Sequence, residues 1–255
     1  MKKLLAGLIV LFLTSCVTTT TSDLTKEKDL SKAEKTYVEI GYRQVQQNNL
    51  QQAKASFGKA LDINSKSAGA YMGLAVVYGM EHEPVLAEKN FHKAIRYDTT
   101  QESHFQYATW LYNQKRFEDA VDQLEITVKD TLYARRPQAF DILGICNLRI
   151  GKTDTAIGNF KKAIVLNQQF VSPRINLANV YAAQKDYVKA YDAYNGFVGL
   201  VKAGLSKQNA ATLWLGIQLA DLNKDSNAAA SYSLQLENLF PDSQEYQAYK
   251  KWKNQ

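Results

Sequence analysis

One period governs this chain. The stretch Ser67–Asp98, SAGAYMGLAVVYGMEHEPVLAEKNFHKAIRYD, has a recognisable copy six times between about Glu34 and Phe240. Within it Tyr71, Leu74, Ala75 and Tyr78 fall at helical spacing on one face, and Ala87, Phe91 and Ala94 do so on a second. Between the two runs, Gly79 to Pro84 breaks the apolar rhythm, and Pro84 stands where a new helix can begin. The copies register on the alanine opening the second helix: Ala53, Ala87, Ala120, Ala156, Ala190 and Ala228, spaced 34, 33, 36, 34 and 38 residues apart. Four residues on from each comes a large group, Phe57, Phe91, Leu124, Phe160, Tyr194 or Tyr232. Twelve residues before each stands a small one, Gly41, Ala75, Ala108, Gly144, Ala178 or Gly216. Small residues at fixed offsets let paired helices approach to the short end of the usual ~8–10 Å.

The unit is thus a helix–turn–helix, and its period and its order of large residue, Leu, small residue, Tyr, Ala and Phe resemble the tetratricopeptide repeat. The resemblance implies an all-α solenoid, six helix–turn–helix repeats over residues 33–240 wound into a right-handed superhelix, with residues 241–255 as a C-terminal capping helix. Pro241 to Glu245 reads as the start of that cap, with Asp242 and Glu245 spaced as a capping box and Tyr246, Tyr249 and Trp252 on one side. Two regions depart from the consensus. The third repeat carries Thr127 where alanine is usual and runs into KDTLYARRP. The fifth runs into GFVGLVKAGLSKQNA, where Gly196, Gly199 and Gly204 are expected to loosen its join to the sixth.

Residues 1–15 read as a targeting segment. Lys2 and Lys3 precede the apolar run Leu4 to Leu13, which is shorter than the ~20 residues of a spanning helix. The run ends in Leu13-Thr14-Ser15-Cys16, which resembles a bacterial lipobox. That resemblance implies cleavage before Cys16 and its acylation, with an ordinary signal peptide as the alternative. Multiple acyl chains hold a protein stably on a membrane. In such lipoproteins an aspartate after the cysteine commonly means inner-membrane retention; Val17 stands there instead, which implies export to the outer membrane, facing the periplasm. Residues 16–32 contain few apolar groups and are expected to form a flexible tether reaching ~50 Å at full extension.

Charge and motifs exclude several functions. The formal charge of +6 falls to about +4 when Lys2 and Lys3 leave with the leader, and no basic block is interleaved with aromatics, so nucleic acid is not an expected partner. Gly151-Lys152-Thr153 imitates the end of a phosphate-binding loop, yet Cys146 occupies the place of its first glycine. His82, His92 and His104 share no metal-ligand spacing. Glu81, Glu83, Glu118 and Asp119 sit at turns and first helical turns, where the helix dipole favours them. Cys146 is expected to be a buried, inert thiol. No catalytic constellation, metal site or cofactor site is expected.

A binding surface is expected instead. In tetratricopeptide proteins the first helices of successive repeats build a concave wall that commonly receives a peptide or a helix. One turn from the expected core face, the first three repeats carry Val38, Tyr42, Val45, Met72, Val76, Met80, Phe105 and Tyr112, an apolar set for a groove. On this reading Met72→Asp with Val76→Asp leaves the fold intact and weakens capture of a ligand. Repeats four to six offer Asp141, Arg149, Asn179 and Asp221, a more polar wall.

The lipobox at Cys16, the Thr-rich tether, the six repeats and the strings EPVLAEKNFHKAI, LGICNLRIGKTDTAIGNFKKAIVLN and LWLGIQLADLNKDSNAAASYSLQLENLFPDSQEYQ together resemble the type IV pilus biogenesis and stability lipoproteins. The last string exceeds what the repeat itself demands. The resemblance implies a monomeric pilotin, anchored in outer-membrane lipid through acylated Cys16, that binds the pilus secretin subunit and promotes its multimerisation. The alternative expectation is an adaptor lipoprotein docking a protease, a peptidoglycan hydrolase or an outer-membrane assembly factor.

Overall fold

The computed structural model describes residues 23–254, and the targeting segment, Cys16 and the first part of the expected tether lie outside the described residues. Six antiparallel helix pairs follow one another: α1 (Asp23–Gln46) with α2 (Leu50–Ile63), α3 (Ala68–Met80) with α4 (Pro84–Tyr97), α5 (Gln101–Asn113) with α6 (Phe117–Thr127), α7 (Arg136–Arg149) with α8 (Thr153–Leu166), α9 (Ser172–Ala183) with α10 (Tyr187–Lys202), and α11 (Ala210–Leu222) with α12 (Ser226–Leu239). A last helix, α13 (Gln244–Lys253), closes the array. No strand occurs among the described residues.

The turn within each pair is built the same way six times. Asn48, His82, Lys115, Gly151, Lys185 and Lys224 hold φ between 59° and 81°. The next residue donates its N–H to the carbonyl five back, as in Glu83 to Tyr78 at 2.9 Å and Asp186 to Tyr181 at 2.9 Å. This left-handed closure satisfies carbonyls that the end of a helix would otherwise leave open. Only Gly151 adopts the conformation without steric cost.

Packing inside the pairs follows the small and large positions. Ala53, Ala87, Ala120, Ala156 and Ala190 are wholly buried, as are Phe57, Leu124, Phe160 and Tyr194. The Phe57 ring lies between α1 and α3, so that a Cβ on Gly41 would come within 2.4 Å of it and one on Gly73 within 2.1 Å. Gly144 receives the Phe160 ring and Gly216 the Tyr194 hydroxyl in the same manner, at 2.5 and 2.2 Å. Thr127, in the place of an alanine, is buried by returning its hydroxyl to the Gln123 carbonyl at 2.9 Å.

Several sequence expectations need correction. The sixth pair is offset by one residue: Ala53, Ala87, Ala120, Ala156 and Ala190 each donate to the residue after the left-handed turn, and in the sixth pair Ala229, not Ala228, does so, to Asp225 at 3.0 Å. Helix α1 begins at Asp23, inside the stretch expected to be tether. With no Gly or Pro between Asp23 and Gly41, nothing interrupts a helix nucleated downstream, and propagation is cheap once nucleation is complete. The cap of α13 is Ser243, whose hydroxyl accepts from the Tyr246 N–H at 3.1 Å, rather than Asp242.

The join between repeats five and six is tied rather than loosened. Gly204, at φ 72°, stops α10, and Asn209 with Thr212 forms a capping box that starts α11. Gln208 donates to the Tyr194 hydroxyl at 3.2 Å, Tyr191 to Asp225 at 2.8 Å, and Asn223 to the Tyr187 carbonyl at 3.0 Å. The segment after α6 is pinned likewise, since Glu102 accepts from Tyr133 at 2.7 Å and from Arg135 at 2.8 Å. Against α11, α13 lays Tyr249 and Trp252 edge-on to Trp214, with ring centroids 6.2 and 5.8 Å away.

Candidate functional site

First helices of successive pairs touch one another at α1–α3, α5–α7 and α7–α9, whereas no two second helices come into comparable contact. In a curved stack the elements that touch lie on the inside of the curve, so α1, α3, α5, α7, α9 and α11 form the inner wall. Repeats two and three are sparingly joined, and there a cleft of about 280 Å³ opens between α3 and α5. Its walls are Val76, Gly79 and Met80 on one side and Gln106, Thr109, Trp110 and Asn113 on the other, over the edge of Phe91.

The eight residues expected to line a groove divide into three sets. Val76 and Met80 line the cleft, and Met80 is 42% exposed. Tyr112 stands one turn further along α5, tilted against the Phe117 ring, in a neighbouring depression shared with Asn113, Lys115 and Arg149. The other five serve the fold. Met72 and Phe105 are 6% and 2% exposed and belong to the central core. Val38 packs against Gly69 of α3, while Tyr42 donates to the Gly69 carbonyl at 3.4 Å, and burial pushes its phenol up to about 12. Val45 packs into the first core cluster. The expectation that Met72→Asp leaves the fold intact is therefore corrected, because an aspartate there would be buried without a partner.

The polar wall also divides. Arg149 and Asn179 line depressions along the inner face, and Asp221 is exposed. Asp141 is instead buried at the α7–α9 seam, accepting from Ser172 at 2.6 Å and Asn176 at 3.0 Å. Burial raises its carboxyl above the ordinary range against the pull of those two donors. A second tie joins repeats two and three: Glu88 accepts from Tyr107 and from Arg116, both at 2.7 Å. Burial opposes ionisation of Glu88, but these hydrogen bonds outweigh it and hold the carboxyl below its usual range.

The titratable groups do not converge. His104 is buried against the Gln123 amide at 2.8 Å, and His92 and His82 are exposed, the latter in a turn. Burial pushes the free Cys146 thiol up to about 12, where it is neither nucleophile nor ligand. Among the described residues no three His, Cys, Asp or Glu side chains gather to hold a metal, and no helix is long and apolar enough to cross a membrane.

Six stacked helix pairs with an inner wall define a helical-repeat scaffold of the tetratricopeptide class, a fold that commonly serves contact with other proteins. No protein-family model matches the chain. It is 36% identical over 217 residues to the type IV pilus assembly protein PilF of Pseudomonas aeruginosa, covering 84% of each chain. By that relationship the chain belongs to the PilF family of type IV pilus assembly proteins. A solved structure of Pseudomonas aeruginosa PilF superposes with a TM-score of 0.76 at 37% identity, covering 88% of this chain and 99% of that one. The type IV pilus biogenesis factor PilW shares the fold, with a TM-score of 0.71 at 22% identity over 85% of this chain and 97% of its own.

Proposed function

We propose that this protein is a pilotin: an outer-membrane lipoprotein, acylated at Cys16, that holds the type IV pilus secretin subunit and promotes its delivery and multimerisation. The family carries the assignment to pilus biogenesis, and the cleft between α3 and α5 supports the binding role. There Val76 and Met80 present apolar surface on the inner wall, flanked by the amide and hydroxyl groups of Gln106, Thr109 and Asn113. Secretin subunits expose apolar strand edges before their ring closes, and such edges aggregate unless covered. An apolar cleft with a polar rim can cover one such segment and release it when the ring forms. Methionine suits this task, since its unbranched side chain adapts to whatever enters.

The test is capture of purified secretin subunit by Val76→Asp with Met80→Asp. Both side chains face the cleft, so thermal stability should stay near that of wild type, while affinity falls roughly tenfold or more. Full capture by the folded double variant would remove the cleft from the mechanism. Cys16→Ala should leave the protein in the soluble periplasmic fraction, and membrane partitioning like that of wild type would contradict acylation at Cys16.

A further inference from the structure

A second cleft lies at the opposite end of α7 from Arg149, ~20 Å away over the thirteen residue steps from Arg136 at ~1.5 Å each. It measures about 340 Å³ and is lined by Arg136 and Phe140 of α7 and by Lys161, Lys162, Val165 and Leu166 of α8. Its apolar wall is open to solvent, with Val165 77% and Leu166 44% exposed. Its charge is of one sign. Arg136 and Lys162 sit over the Phe140 ring at 5.4 and 5.3 Å, and the Arg136 Nε donates to the Val128 carbonyl, which fixes that guanidinium in place. None of the three cations forms an ion pair among the described residues.

Comparison with the other repeats separates what the repeat needs from what is particular here. A lysine over an aromatic ring recurs at this position, as Lys59 over Tyr37 at 5.5 Å and Lys93 over Tyr71 at 4.7 Å. That pair belongs to the scaffold. In the second repeat, however, Tyr97 stacks on Tyr71 at 5.7 Å and fills the space beside the ring. Leu166 stands in the place of Tyr97 in the fourth repeat, and Arg136 and Lys161 add positive charge around the opening.

We propose that this cleft docks an acidic peptide segment of a protein partner, with one apolar side chain entering between Val165 and Leu166 and neighbouring carboxylates meeting Arg136, Lys161 and Lys162. The concave shape favours a peptide over a bilayer, because membrane surfaces take up protruding apolar groups whereas a cleft receives a single side chain. Unpaired cations around an apolar floor select carboxylates at the rim, and the contact weakens as salt screens it. The site is separate from the α3–α5 cleft and stands independently of the secretin reading.

The experiment uses a fluorescein-labelled twelve-residue peptide with a central leucine flanked by aspartates and glutamates. Its controls are the same peptide with serine for leucine, and vesicles of phosphatidylglycerol. The wild-type protein should bind the leucine peptide, weaken with salt, and bind the serine peptide roughly tenfold less. Leu166→Tyr, which copies the filling seen in the second repeat, and Lys161→Glu should each reduce that binding by about as much. Val76→Asp, in the other cleft, should leave it unchanged, and circular dichroism should show every variant folded. Equal binding of the two peptides, absence of peptide binding, or vesicle binding that alone responds to Leu166→Tyr and Lys161→Glu would each overturn the proposal.

Discussion

Glycine at the helix crossings does the opposite of what its propensity suggests. In an exposed helix Gly→Ala gains ~1 kcal/mol. At Gly144 the added Cβ would lie 2.5 Å from the Phe160 ring, inside a seam where the ring is wholly buried. Overpacking of this kind costs ~1–3 kcal/mol. Gly144→Ala should therefore lower the urea midpoint, and an unchanged or raised midpoint would mean that the seam can open. The left-handed turns run the other way. Lys185 holds φ 60° with an exposed side chain, a conformation that costs a non-glycine residue ~1–2 kcal/mol, so Lys185→Gly should raise stability by up to ~1 kcal/mol after glycine's extra chain entropy is counted. The small and large positions were legible in the sequence because each has one steric solution. The turn conformation was not, since Asn, His, Lys and Gly all occupy it and the hydrogen bonds that close it are made by the backbone.

At the scale of elements, helix existence followed from periodicity, but the allocation of faces did not. A first helix in this stack is buried on two sides, against its own partner and against a neighbouring repeat, and only a narrow strip remains for a ligand. Met72 and Val76 are one turn apart and equally apolar, yet the first is core and the second lines the cleft. No single-helix pattern distinguishes them. The same double burial accounts for Asp141, which the sequence alone places in a polar wall and which instead ties α7 to α9. Its raised carboxyl binds a proton more tightly in the folded state than in the unfolded one, where the value is ~3.9. Its contribution to stability is then fully present below that value and is lost as pH rises through the folded one. Asp141→Asn removes this dependence, so the variant's urea midpoint should gain on that of wild type between pH 4 and pH 7. A constant difference across that range would contradict the assignment.

At the scale of the whole molecule, the array is a continuous wall with clefts along its inner face and a capped end. Six copies of one unit made the architecture legible from the spacing of alanines alone, with the sixth displaced by one residue, so that Ala229 makes the turn hydrogen bond expected of Ala228. The cleft itself was legible only in part, since its opening depends on how two repeats stack and not on any one of them. Removing residues 241–255 should uncover Trp214 and its neighbours on α11, lowering the unfolding temperature and promoting association, as an uncapped solenoid end does. The most direct measurement is to delete the gene, separate inner and outer membranes, and follow the pilus secretin in each as monomer and as detergent-resistant multimer. A pilotin predicts that multimers vanish or remain with the inner membrane, restored by the wild-type gene and not by Val76→Asp with Met80→Asp. An outer membrane that keeps its full complement of multimers would contradict that role.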